Sequence, residues 1–443
     1  MTSRRLFLGL LGLLMLGSFS AGLLEPELRA QGGLPELLTL LRPSGNGREL
    51  EPLNTHKRVL ELVKERFYGD TPSEMRLTYA AIRGLLNRLD DPYTRFLDPE
   101  EYADMRLRNQ GEFEGIGAEL SQQITRQGYV RIDRPIPGGP AERAGLRSGD
   151  LILRINGRSV VGRTVDEVVA AIRGKAGTSV RLTVQSGKKR PRDVVLVRQP
   201  VELEVVESRL LNPGIGYVSL AEFNEIADQK LERAIRTLER QGMRGLILDL
   251  RGNPGGLLDA AVEVASRFIP PRKDVVVIVE PNQDPERRQT IAKNYLAGKW
   301  PLVVLVNRTS ASASEIVAGA IQDNQVGTLI GTTTFGKGLV QTLIPLEGGS
   351  ACAITTQKYL TPSGRDINRT RDQRGGVNPD LAVEITEEEF LSRTDRQLKR
   401  AVEYLEQKLG LRKPTDERNR NQRSAAALSP PQAASKGCDS HFG

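Results

Sequence analysis

The chain has 443 residues, 38% of them hydrophobic and 27% charged, with a formal net charge of +8. At roughly 100 to 200 residues per domain this length allows two to four domains. So modest a charge, part of it in the polar stretch LRKPTDERNRNQR, gives no reason to expect a nucleic-acid partner, and two cysteines, Cys352 and Cys438, make neither a disulfide framework nor a metal site.

The N-terminus, MTSRRLFLGLLGLLMLGSFSAG, sets a charged start before a short apolar run. That is the pattern of an export signal, and the run is short for a membrane span. SRRLFL also resembles a twin-arginine signal. Residues 1–30 are expected to direct export to the periplasm, and left uncleaved they would hold the protein at a membrane. A linker (31–52) leads to a small helical region (53–109), where THKRVLELVKERF and EMRLTYAAIRGLLNRL carry apolar residues at helical spacing. The pattern breaks at LDDPYTRFLDPEEY.

From 110 to 187 the period changes to short strands, FEGIGAEL, GYVRIDRP, GDLILRING and SVRLTVQ, interrupted by one helix, TVDEVVAAIRG. The stretch GGPAERAGLRSGDLILRINGRSV resembles a PDZ domain, which binds an extended peptide as an added strand and captures its terminal carboxylate on backbone N–H groups. Gly115, Ile116 and Gly117 match the carboxylate-binding loop, where glycines let the backbone come close to a ligand.

Residues 188–390 alternate strand and helix: IGYVSL, ADQKLERAIRTLERQ, GLILDLRGN, LLDAAVEVASRFI, VVVIV, PLVVLV and a helix beginning near Ser314. Such alternation implies an α/β core with largely parallel strands. An amphipathic helix (391–410) and a low-complexity tail (411–443) complete the chain.

The chemistry centres on NRTSASASEI, residues 307–316. A serine hydroxyl needs a general base to act as a nucleophile. The two histidines, His56 in an N-terminal helix and His441 in the tail, argue against a Ser-His-Asp arrangement and leave lysine as the base. Lys337, between two glycines in GTTTFGKGLVQTLIPL, becomes a base if burial disfavours its charged form. If the segment is extended from there, Gln341 shares its face and can orient the amine. Ser314 and Glu315 suit a helix cap or first turn, whereas Ser312 falls at the strand-to-helix turn that exposes a hydroxyl. The N–H of Ala313 and the glycine pair of LILDLRGNPGGLLDAA, Gly255 and Gly256, are candidate oxyanion donors.

SASASE followed by FGKGLVQ, on a chain with a PDZ-like segment and an α/β core, resembles the carboxyl-terminal processing proteases, or tail-specific proteases, over about residues 53–390. The resemblance implies an α/β fold with a crotonase-like protease core, an inserted mostly-β PDZ domain and a small helical N-terminal region. It makes Ser312 the nucleophile, Lys337 the base and Gln341 its orienting partner, gives an oxyanion role to the glycine pair with Gly255 preferred, and calls for no cofactor. The implied substrates are proteins with free, apolar C-termini, met in the periplasm or, in an oxygenic phototroph, in the thylakoid lumen. The alternative from another class is a non-catalytic periplasmic PDZ scaffold.

Overall fold

The structure is a computed structural model that describes residues 51–211, 214–296, 300–385, 389 and 394–411. The export signal, most of the linker, His441 and Cys438 lie outside the described residues. The described residues fall into two compact units, one ending at residue 78 and the other beginning at residue 79. The first contains α1 (Pro52–Arg66), with proline in its first turn, where the missing N–H costs nothing. Helix α2 (Glu74–Asn87) begins there and ends in the second unit.

The second unit opens with a feature absent from the sequence expectation. Strand β1 (Arg95–Leu97) and helix α3 (Pro99–Asn109) follow the Asp-Asp-Pro break. Asp98 caps α3, accepting the N–H groups of Glu100 and Glu101, while the Glu101 carboxylate accepts the N–H of Asp98. This reciprocal capping box with proline at the first helical position was legible in DPEE.

After β2 (Glu112–Gly115) comes a small antiparallel sheet made of β3 (Ala118–Ile124), β4 (Val130–Pro135), β5 (Leu151–Ile155), β6 (Arg158–Ser159), β7 (Ser179–Gln185) and β8 (Arg192–Val197), in the order β3-β4-β5-β7-β8 with β6 on β5. A single turn, α4 (Pro140–Arg143), follows β4, and α5 (Val165–Ile172), capped by Thr164, packs on the sheet. Its Val168 and Ile172 join Ile132, Ile152, Leu182 and Leu196 in a core of their own. The alternation in VRIDRP and SVRLTVQ puts one face of each strand into that core. Strand β9 (Gln199–Glu202) returns to pair with β2.

The remainder builds two larger sheets. β10 (Val206–Leu211), β11 (Ile215–Leu220), β12 (Gly245–Asp249), β15 (Leu302–Val306), β16 (Thr328–Gly331) and β19 (Leu381–Ala382) form one sheet in the order β10-β11-β12-β15-β16-β19. All its pairings are parallel except β10 with β11. GLILD and LVVLV are buried at every residue, as central parallel strands covered on both faces must be. One face meets α6 (Ala227–Arg240), α7 (Leu258–Ser266) and α8 (Ala313–Asp323). Leu231, Ile235 and Leu238 of α6 are fully buried, each contributing roughly 1.5–3 kcal/mol. The other face receives Ala401 and Leu405 of α9 (Arg396–Lys408). Arg251 holds that helix, pairing with Asp249 at 2.6 Å and Asp395 at 2.8 Å.

The second sheet is antiparallel. β13 (Asp274–Val279), β14 (Glu286–Gln289), β17 (Leu339–Pro345) and β18 (Ala351–Leu360) combine with β1 in the order β1-β18-β13-β14, with β17 also on β18. Because β1 pairs with β18, the Asp-Asp-Pro-Tyr segment is carried to the edge of the candidate site.

Candidate active site

The three serines of SASAS have different surroundings. Ser310 is fully buried, donates to the Leu250 carbonyl at 2.8 Å and accepts the Asn307 N–H at 2.9 Å. Ser314 is also buried and donates to the Asn253 carbonyl at 3.0 Å. These bonds fasten the turn before α8 to the turn after β12. Asn253 completes the join by donating to the Leu220 carbonyl and accepting the Gly255 N–H, each at 2.8 Å. Only Ser312 is partly accessible, and it lines a cavity of about 630 Å³. Its backbone has φ 54° and ψ −115°, a conformation that costs a non-glycine residue of the order of 1–3 kcal/mol and persists only where the surroundings enforce it.

Glu315 supplies much of that enforcement. It is fully buried in the first turn of α8, and its carboxylate accepts four hydrogen bonds. One oxygen takes the Thr334 hydroxyl at 2.5 Å and the Gly336 N–H at 2.7 Å. The other takes the N–H groups of Ser312 and Lys337, both at 2.9 Å. Burial pushes the Glu315 carboxyl up, while these four donors pull it back toward the ionised form. Tyr359, buried in β18, makes a second bridge: its hydroxyl donates to the Lys337 carbonyl at 2.5 Å and lies 3.1 Å from the Ser312 carbonyl. Sequence reasoning gave Glu315 only a capping role and missed Tyr359 and Asn253; nothing in their spacing marked them.

Lys337 and Gln341 line the same cavity as Ser312. The extended-strand argument for them does not hold as stated, because β17 begins only at Leu339 and its register slips between Val340 and Gln341. The Gln341 amide donates to Thr355 Oγ1 at 3.1 Å. The Lys337 ammonium is hydrogen bonded to neither Ser312 nor Gln341 and sits 4.6 Å from the centroid of the Tyr93 ring. Burial lowers the Lys337 pKa below 10.5, and Arg95 lowers it further, against Asp91 and Glu315, which raise it.

The glycine pair separates by its hydrogen bonds. The Gly255 N–H is spent on Asn253, and a Cβ at Gly255 would stand 2.8 Å from Ser312 Cβ. Gly256 is exposed and lines the cavity together with Ala313. Further cavity walls come from apolar Phe96, Met105, Leu257, Ile316 and Leu343 and from charged Arg95, Glu101, Asp104, Arg108 and Glu222. Among the described residues no group of three or more His, Cys, Asp or Glu side chains is placed to hold a metal ion.

At the small sheet, β3 is an edge strand and α5 packs beside it. The carbonyls of Ile116 and Gly117 accept the N–H groups of Ala141 at 2.8 Å and Ile136 at 2.9 Å, and Gly117 has φ 67°.

Residues 214–383 match Peptidase family S41 and residues 131–186 match the PDZ domain. A carboxyl-terminal-processing protease of Synechocystis sp. is 38% identical over 353 residues, spanning 78% of this chain and 80% of that protein. The chain belongs to the carboxyl-terminal processing protease family. It is accordingly a serine-type peptidase of family S41 that carries a PDZ domain. A chloroplastic C-terminal processing peptidase of Tetradesmus obliquus is also 38% identical, across 73% of this chain and 71% of that one. A solved structure described as a putative S41 protease from Bacteroides fragilis shares the fold, with a TM-score of 0.52 at 16% identity, covering 83% of this chain and all of the other.

Proposed function

We propose that this family member is an exported endopeptidase that takes the free C-terminus of a protein into its PDZ domain and cleaves near that end through a Ser312–Lys337 dyad. The observation that carries the reading is the shared cavity of Ser312, Lys337 and Gln341, with Glu315 tying the backbones of the first two together. Neutral Lys337 takes the Ser312 proton as the hydroxyl attacks the scissile carbonyl, then protonates the leaving amine; water hydrolyses the acyl-enzyme. Gln341 orients the amine once it has reached Ser312. The oxyanion is held by the N–H groups of Ala313 and Gly256, because that of Gly255 is already engaged. The strained backbone at Ser312 disfavours a scaffold that has given up catalysis.

In this reading the core is crotonase-like and the PDZ domain (110–187) is inserted between the helical region (53–109) and the core (188–390). A substrate tail adds to the free edge of β3 beside α5, with its carboxylate at the Gly115-Ile116-Gly117 loop. The apolar part of the cavity wall, Phe96, Met105, Leu257, Ile316 and Leu343, suits apolar tails. The site of action is the periplasm, or the thylakoid lumen if the source is an oxygenic phototroph. The test is mass spectrometry of a tagged protein with a flexible apolar tail after incubation with enzyme. Trimming near the tail by the wild type, absent with Ser312→Ala and with an amidated C-terminus, is expected. Cleavage that persists in Ser312→Ala would refute the nucleophile, and equal cleavage of the amidated tail would refute carboxylate recognition.

A further inference from the structure

Tyr93, in the segment Asp90–Leu97, has no part in the reaction above, yet it reaches the residue read there as the base. Asp91 shapes the segment: the carboxylate accepts the Tyr93 N–H at 3.1 Å and the Thr94 hydroxyl at 2.6 Å. Thr94 Oγ1 then accepts the Thr355 N–H of β18 at 3.0 Å, and β1 continues the pairing along the same strand. A turn fixed at so many points presents the Tyr93 ring to the Lys337 ammonium at 4.6 Å. Tyr93 also borders a second cavity of about 540 Å³, and Leu339 borders both.

An aromatic face attracts a cation and has no such attraction for a neutral amine. The contact therefore favours the form of Lys337 that cannot accept a proton, in a place where it does not touch Ser312. We propose that Tyr93 is a positioning residue that holds Lys337 as an ammonium in a resting place, so that deprotonation releases the base toward Ser312. The proposal rests on the reading of Lys337 as the base.

The other groups around Lys337 are accounted for. Arg95 disfavours its charge and Asp91 and Glu315 favour it. The Tyr93 phenol is itself pushed up by burial, then by Glu315 and Asp91, with Arg369 opposing, so the ring stays neutral. From the facing wall, Glu101, Asp104 and Arg108 of α3 and Glu222 line the same cavity. None of these changes when only the Tyr93 ring is replaced.

The experiment compares the pH profile of kcat/KM for wild type, Tyr93→Phe, Tyr93→Leu and Tyr93→Met on the apolar-tail substrate. Leu and Met keep apolar bulk and remove the aromatic face; their acid limb should move to lower pH by roughly half to one and a half units. Tyr93→Phe should keep the wild-type limb. Titration of Lys337 by 13C NMR of lysine-labelled enzyme in the Ser312→Ala background should give the same shift without turnover. A limb and titration unmoved or raised in Leu and Met, or a Phe variant that moves with them, overturns the proposal. Wild-type cleavage that survives Lys337→Ala would instead refute the base assignment, a separate result that the NMR titration does not produce.

Discussion

Replacing Glu315 by glutamine keeps its size and changes one oxygen for an amide that donates. The carboxylate uses each oxygen for two donors, so the variant must turn its NH₂ toward one pair. Turned toward Ser312 and Lys337, it faces two main-chain N–H groups. Turned the other way, it can donate to the Thr334 hydroxyl, which already accepts the Val377 N–H at 2.7 Å, but the Thr334 O–H and the Gly336 N–H then both lose their acceptor. Two orphaned buried donors cost about 1–3 kcal/mol each. Loss of the buried charge offsets part of this, so a net destabilisation of about 2 kcal/mol is expected, or roughly 4–8 °C in Tm. The same bonds set the backbone of Ser312 and Lys337, the nucleophile and base of the proposed reaction, and displacement of reacting groups by about 1 Å costs on the order of a hundredfold. Calorimetry and steady-state cleavage of an apolar-tail substrate should thus show a lowered Tm and a kcat reduced by about tenfold to a hundredfold with KM little changed. A variant with normal Tm and kcat within about twofold of wild type would refute the claim that Glu315 couples the two turns.

Tyr359→Phe removes the hydroxyl between the Lys337 and Ser312 carbonyls; a loss of about 1 kcal/mol and up to about tenfold in kcat is expected, read by the same two assays. Ser310→Ala and Ser314→Ala should each lower Tm by a few degrees, about 1 kcal/mol, and retain turnover, whereas Ser312→Ala should keep the wild-type Tm within about a degree and lose turnover. Since only neutral Lys337 accepts a proton and burial sets its pKa below 10.5, kcat/KM should rise with pH through an acid limb whose midpoint lies below that value. Arg95→Gln removes a charge that disfavours the ammonium, which raises the Lys337 pKa and moves the acid limb to higher pH; a limb moving the other way would contradict the electrostatic account.

Period and turn chemistry made much of this fold readable. The apolar runs GLILD and LVVLV, set between helical segments, read as strands and are buried at every residue, and TVDEVVAAI read as the one helix among the small strands. Strand β1 and helix α3 were hidden because DDPYTRFLDP reads as a break, although DPEE carried a capping signal. The serine turn and the glycine-flanked lysine were visible as motifs because the proposed reaction needs those residue types. The parts that unite them were not. Glu315, Asn253 and Tyr359 act through bonds to main-chain atoms of distant turns, and Tyr93 arrives by pairing of β1 with a strand some 250 residues later. Such contacts depend on tertiary register, which local spacing does not encode. The same holds for the glycine pair, where a single hydrogen bond from Gly255 to Asn253 turns the preference toward Gly256.

The most direct test of the account is to trap the covalent intermediate. Enzyme mixed with a short activated ester of an apolar peptide is acid-quenched within milliseconds and digested, and the acyl adduct is located by mass spectrometry. The adduct is expected on Ser312, absent from Ser312→Ala and strongly diminished in Lys337→Ala. An adduct on Ser310 or Ser314, or undiminished acylation without Lys337, would contradict the Ser312–Lys337 assignment.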